Sequence, residues 1–190
     1  MRSLQATRIS RILGTHGGAG VDGWLSSLET ALDDEPALDD DTIGSVVARA
    51  HPRWGVRANH DATTYLAFWT RLAARHDDPR IVAAYADVLC LLGGAKRRCE
   101  ALKLFVTAVA RNPAVFVEYS GDFYDLAQRC GPAQQLDFEL AKVAFYAYCV
   151  ERGEMNSDDL GEELSEIFST FGDDARLQDR LRSAGHQFLQ

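Results

Sequence analysis

Apolar residues recur at helical spacing through most of the chain. Tyr65, Phe68, Trp69 and Leu72 stand at i, i+3, i+4 and i+7, the stripe that one face of an α-helix buries, and Asn59, Asp61 and Thr63 ahead of them are candidate caps. The stripe ends near His76. Asp77, Asp78 and Pro79 then supply an N-cap and a first-turn proline for a second helix, whose face reads Ile81, Tyr85, Val88, Leu89 and Leu92 before Gly93 and Gly94 close it. Leu102, Phe105, Val106 and Val109 mark a third helix between Lys96 and Arg111, stopped by Asn112 and Pro113. Further helices are predicted over 115–128, 134–152, 158–171 and 174–188, and 134–152 is apolar nearly all round, as a buried central helix must be. Upstream, 22–33 carries Trp24, Leu25, Leu28 and Leu32 on one face, 41–50 comes after an aspartate-rich cap, and 52–59 reads as a loop holding Trp54. No stretch alternates with period two between turn signals, so strands are not expected.

The pattern predicts an all-α fold: antiparallel helix hairpins, stacked as a short α-solenoid or gathered into an irregular helical bundle. Glycine breaks at Gly93, Gly131 and Gly172 lie 38 and 41 residues apart, and Ala101 with Phe105 is echoed 40 residues later by Ala141 with Phe145. That spacing is the length of a helix hairpin. Ahead of these repeats, residues 1–21 read as a basic flexible arm ending in the glycine-rich stretch GTHGGAG, Gly14 to Gly20. Residues 22–190 read as one helical domain, with 22–58 an irregular cap on the hairpins of 59–190. The glycine stretch lacks the Lys and hydroxyl of a P-loop and the G-x-G-x-x-G spacing, so it reads as a hinge carrying an exposed His16 rather than as a phosphate cradle.

One hairpin resembles a tetratricopeptide repeat. Tyr85, Val88, Leu89, Leu92, Ala101, Phe105 and Pro113 match the family's pattern in register, and Ala108 supplies the small residue that comes after the Phe. Tyr85 stands where the family has Trp and Leu89 where it has Gly. The resemblance implies an extended groove lined by the first helix of each hairpin, used to bind a peptide or protein. On this chain that groove draws on Ala84, Asp87 and Leu91 from one hairpin and on Glu118, Asp122 and Asp125 from the next. The family's clamp for a peptide carboxylate uses Lys, Arg and Asn at such positions, and none occurs there.

Charge sharpens this picture. The formal net charge of -8 disfavours a nucleic-acid partner, which needs a basic face. Glu29, Asp33, Asp34, Glu35, Asp39, Asp40 and Asp41 come with no Lys or Arg among them, and Asp158, Asp159, Glu162, Glu163 and Glu166 crowd together late in the chain. A basic or amphipathic protein or peptide is therefore the expected partner. No apolar run reaches the roughly 18 residues of a membrane span, and the Arg-rich start has too small an apolar cluster for a secretory signal. Cys90, Cys99, Cys130 and Cys149 form no CxxC pair and read as small buried thiols in a reducing compartment, which points to the cytoplasm. An organellar address through the Arg-rich start is the alternative location.

Chemistry is sparse. Asp39, Asp41 and Gly44 fall at calcium-loop positions, but Ile43 and Ala50 stand where oxygen ligands are required. The five histidines show neither i, i+4 pairing nor H-E-x-x-H, and no nucleophile elbow is present. No catalytic, cofactor or metal residue is therefore assigned. The expected function is a noncatalytic protein-binding module, an adaptor, chaperone or inhibitor of the immunity type, with Asp87, Leu91, Glu118, Asp122 and Asp125 as its contact residues. The alternative is a helical enzyme or small-ligand-binding bundle with an aromatic pocket near Trp54, Tyr65, Trp69 and Tyr85.

Overall fold

The computed structural model of the chain describes residues 4–15, 20–35, 37–52 and 62–188, with side chains between 7 and 184. Among the described residues there are ten α-helices and no strand. They are α1 (Leu4–Gly14), α2 (Gly20–Asp33), α3 (Asp40–Ala50), α4 (Ala62–Arg75), α5 (Pro79–Leu92), α6 (Arg98–Arg111), α7 (Phe116–Cys130), α8 (Pro132–Glu151), α9 (Ser157–Phe171) and α10 (Gln178–Phe188). Short 3-10 turns at Ala95–Arg97 and Pro113–Val115 precede α6 and α7.

Local chemistry sets these boundaries. Asp39 caps α3 by accepting from the Thr42 N–H at 2.7 Å, and Asp78 caps α5 by accepting from the Arg80 N–H at 2.9 Å, with Pro79 in the first turn. Asn156 does the same for α9. One expected start is corrected: the last helix begins at Gln178, not at 174. The Asp174 carboxylate accepts from the Arg176 N–H at 3.0 Å, and its carbonyl accepts from Leu177. An aspartate that holds its own downstream backbone favours a turn over a helix.

The chain divides into two compact units, Met1–Arg97 and Arg98–Gln190, rather than into an arm and one body. In the first, α1 packs on α2 and α3, α2 on α4, α3 on α5, and α4 on α5. The expected flexible arm is therefore corrected over α1. Ile9 and Leu13 are buried, the Trp24 indole N–H donates to the Ile12 carbonyl at 2.8 Å, and Arg8 pairs with Asp34 at 2.8 Å. Residues 16–19, with His16 and the central glycines of the proposed hinge, lie outside the described residues, as does the loop with Trp54.

In the second unit α8 is the axis. It packs against α6, α7 and α9, and every residue from Ala133 to Val150 is at least partly buried. On one side the rings of Phe105 and Phe123 stack with centroids 4.3 Å apart, and Phe116 lies 5.5 Å from Phe138 and 5.4 Å from Phe145. On the other, Leu136 and Val143 close over Leu164, Ile167 and Phe171 of α9 and Leu177 and Leu181. The residues of the repeat resemblance are split by the unit boundary: Tyr85, Val88 and Leu89 are buried in the first unit, and Ala101, Phe105 and Ala108 in the second.

The cysteine expectation is also corrected. Cys99, on the first turn of α6, and Cys130, the last residue of α7, form a disulfide with Cα atoms 5.9 Å apart, while Cys90 and Cys149 remain thiols. The antiparallel packing of α6 and α7 brings together two residues 31 apart in sequence, a relation no local spacing rule reveals.

His76, just beyond α4, is buried, and its Nε2 has no hydrogen-bond partner among the described residues. Burial, and then the charge of Arg75, lower its pKa below the ordinary 6.5. The unfolded chain therefore binds the additional proton first as pH falls, so stability is full above about 6.5 and declines as pH drops toward the lowered folded value. Urea midpoints measured from pH 7.5 to 5 should fall on the acid side, and His76→Leu should flatten that part of the profile.

Candidate functional site

The acidic run of the first unit is neutralised from a distance. Glu29 pairs with Arg71, Asp33 with Arg75, Asp34 with Arg8, and Asp40 with Arg80 at 2.8 Å. Each arginine lies 26 to 42 residues from its acid. Much of this run is therefore engaged in joining α2 to α4 and α1, and α3 to α5, rather than facing a partner.

Asp87 is not a surface residue. It sits on the buried face of α5 with no exposed area, its Oδ2 3.2 Å from Nε2 of the equally enclosed His51. The His51 ring meets Trp69 edge-on at 5.9 Å, and the Trp69 indole donates to the Ala50 carbonyl at 3.3 Å. The carboxylate and imidazole thus lock the end of α3 against α4 and α5. Leu91, one turn on, is 46% exposed. Glu118, Asp122 and Asp125 are all exposed on α7, in the other unit.

Of the aromatics expected to line a pocket in the alternative reading, three are described and none faces an open cavity among the described residues. Tyr65, Trp69 and Tyr85 are buried core side chains, and Trp54 lies outside the described residues. Burial pushes the Tyr65 phenol up to about 12, so it stays protonated at neutral pH. The nearby cleft between α2 and α4, lined by Glu29, Phe68 and Arg71, offers about 10 Å³, the space of one water.

On α7, Phe116, Tyr119, Phe123, Leu126 and Ala127 form the buried side. The opposite side carries Val117, Gly121, Tyr124 and Gln128 at i, i+4, i+7 and i+11, a single stripe. Val117 is 63% exposed and Tyr124 48%, the two most exposed large apolar side chains among the described residues. Tyr124 is braced edge-on against Phe138 at 6.1 Å. Gly121 between them leaves open space above the backbone. Glu118, Asp122 and Asp125 run alongside at the same spacing, and Glu118 and Asp125 form no ion pair among the described residues. Sequence reading placed the acids here but missed Val117 and Tyr124. Their signal was present, since both break the polar side of an otherwise amphipathic helix.

A second concavity of about 470 Å³ lies between α6, α8 and α10. Val106, Ala110, Leu140 and Ala144 give it aliphatic walls, and the Asp137–Arg180 ion pair stands at its edge. Arg180 also donates to the Ala133 carbonyl at 3.2 Å. Among the described residues no three His, Cys, Asp or Glu side chains are arranged to hold a metal ion, and no helix is long and apolar enough to cross a membrane. No protein-family model, curated protein or solved structure matches the chain.

If Asp87 is a core partner, its removal must be felt as stability. Asp87→Ala should cost about 3 kcal/mol by leaving His51 enclosed without its carboxylate, and Asp87→Asn less. In a double-mutant cycle with His51→Ala the two losses should fall short of additivity. Unchanged denaturation midpoints in Asp87→Ala would refute the role.

Proposed function

We propose that the chain is a noncatalytic protein-binding module and that the solvent face of α7 docks an amphipathic helix bearing Lys or Arg beside its apolar stripe. The observation that carries this reading is the pairing of two exposed apolar side chains, Val117 and Tyr124, with the parallel acidic row Glu118, Asp122 and Asp125. An apolar stripe gains by losing water, and exposed carboxylates beside it attract a basic flank and fix its register. Gly121 permits close approach of a second helix backbone at the centre of the face. Tyr124 supplies the kind of rigid, amphipathic anchor that concentrates binding energy. The expected partner classes are those of an adaptor, a chaperone or an inhibitor that masks a basic protein. The tetratricopeptide resemblance favours the same class of function, with α7 as the first helix of a repeat. A cytoplasmic site of action belongs to this reading only if the Cys99–Cys130 disulfide is made and broken there, since reducing compartments keep most thiols free.

Affinity capture with the wild-type chain should return a stoichiometric partner whose retention falls with salt. The triple variant Glu118→Lys, Asp122→Lys, Asp125→Lys should lose that partner by at least about tenfold with an unchanged circular-dichroism melt, because all three side chains project into solvent. Val117→Ser with Tyr124→Ser should do the same with less salt dependence. Recovery of no partner at any salt, or an undiminished one by both variants, would refute the proposal.

The groove between α6, α8 and α10 favours one second reading, a small-ligand-binding bundle. Its walls are aliphatic rather than aromatic, which moves the site away from Tyr65 and Trp69. A thermal-shift screen of apolar metabolites should then raise the melting midpoint by linkage, and Ala144→Phe, which fills the groove, should abolish the shift. Absence of any shift disposes of this reading.

A further inference from the structure

The Cys99–Cys130 disulfide joins the beginning of α6 to the end of α7, the helix that carries the proposed docking face. Cys99 is exposed and Cys130 partly exposed, so external thiols reach the bond. The two sulfurs are electrostatically unequal. Cys99 lies in the first turn of α6, where the helix N-terminus favours a thiolate; Arg98 before it and Arg129 before Cys130 are matched neighbours and do not distinguish the two. Cys130 ends α7, where the partial negative charge of the helix disfavours one. Cys149, by contrast, is buried and its thiol pKa is raised by that burial, so it takes no part.

We infer that Cys99–Cys130 is a thiol-exchange site through which small thiols or dithiols set the order of the last turn of α7, and with it the docking face proposed above, on which the inference rests. An incoming thiolate attacks the Cys130 sulfur, the Cys99–Cys130 bond breaks, and the bonding electron pair leaves on Cys99 as the favoured thiolate. A second thiol then attacks the incoming sulfur of the mixed disulfide. Cys130 is released as a thiolate and takes a proton, and the two incoming thiols depart as their own disulfide. The protein gains two electrons and the reductant loses two.

Reduction loosens α7 locally because the helix has no regular continuation past Cys130. Gly131 sits at φ 105°, a left-handed conformation, and Pro132 opens α8 without a backbone donor, so the chain turns sharply one residue after Cys130. Tyr124 and Gln128 occupy the final two turns of α7, next to the anchor. The other end is secured independently by Phe105, which stacks on Phe123 and lies tilted against Phe116, and this confines the opening to the disulfide end.

The test equilibrates the full chain in glutathione buffers from oxidising to reducing. It reads amide hydrogen exchange, together with binding of a synthetic Leu/Lys amphipathic helical peptide monitored by fluorescence anisotropy. Reduction should speed exchange over 124–130 by at least about tenfold while α8 stays protected, and should weaken the peptide by a similar factor. Cys99→Ser with Cys130→Ser should behave as the reduced protein in every buffer. Quenched intermediates should carry glutathione on Cys130, and glutathione found on Cys99 instead would overturn the assigned polarity. Exchange unchanged by reduction overturns the inference whatever the peptide does. Loss of protection throughout the second unit does so too, since the bond is then a staple of the whole fold. If exchange responds but the oxidised chain never binds the peptide, the docking reading and its redox control both fall, and the local opening alone stands.

Discussion

A helix that is apolar around most of its girth has to be surrounded, and α8 imposes that requirement on everything after Arg98. From Ala133 to Val150 it presents no fully exposed residue, so α6 and α7 must close one side with phenylalanines and α9 the other with aliphatics. The remaining features of the second unit derive from this. α7 commits Phe116, Tyr119 and Phe123 to the task, which leaves Val117 and Tyr124 on its free side. Lys142, on α8 itself, answers its partial burial by reaching Glu139 at 2.8 Å and Glu163 of α9 at 2.5 Å.

Helices were legible because each carries its instructions locally. The stripe of Tyr65, Phe68, Trp69 and Leu72, the Asp78–Pro79 start and the Asn112–Pro113 stop lie within a few residues of what they control. The all-round apolar character of 134–152 even indicated which helix would be central. Where local signals competed, sequence alone misjudged the outcome: Asp174 looks like an N-cap, yet its side chain holds a turn and delays α10 to Gln178.

Relations between distant residues escaped. An acidic run read by itself suggests a basic partner, but the arginines that answer Glu29, Asp33, Asp34 and Asp40 are brought in by helix packing. Asp87 has the spacing of a groove residue and the neighbours of a core one, and only the arrival of His51 from α3 decides between them. Cys99 and Cys130 are likewise ordinary until α6 and α7 run antiparallel. The acids of α7 were found because exposure there depends on a single helix's own periodicity. The repeat resemblance spans the boundary at Arg97, so its residues contribute to two separate cores.

The seating of α1 places an optical reporter in the protein. Trp24 donates its indole N–H to the Ile12 carbonyl, so its emission should redden when that helix lifts and water replaces the bond. Trp69 lies edge-on to His51 at the centre of the unit, its own N–H held by the Ala50 carbonyl. The two indoles therefore report on two different places in the first unit, its outer helix and its centre, without any added dye.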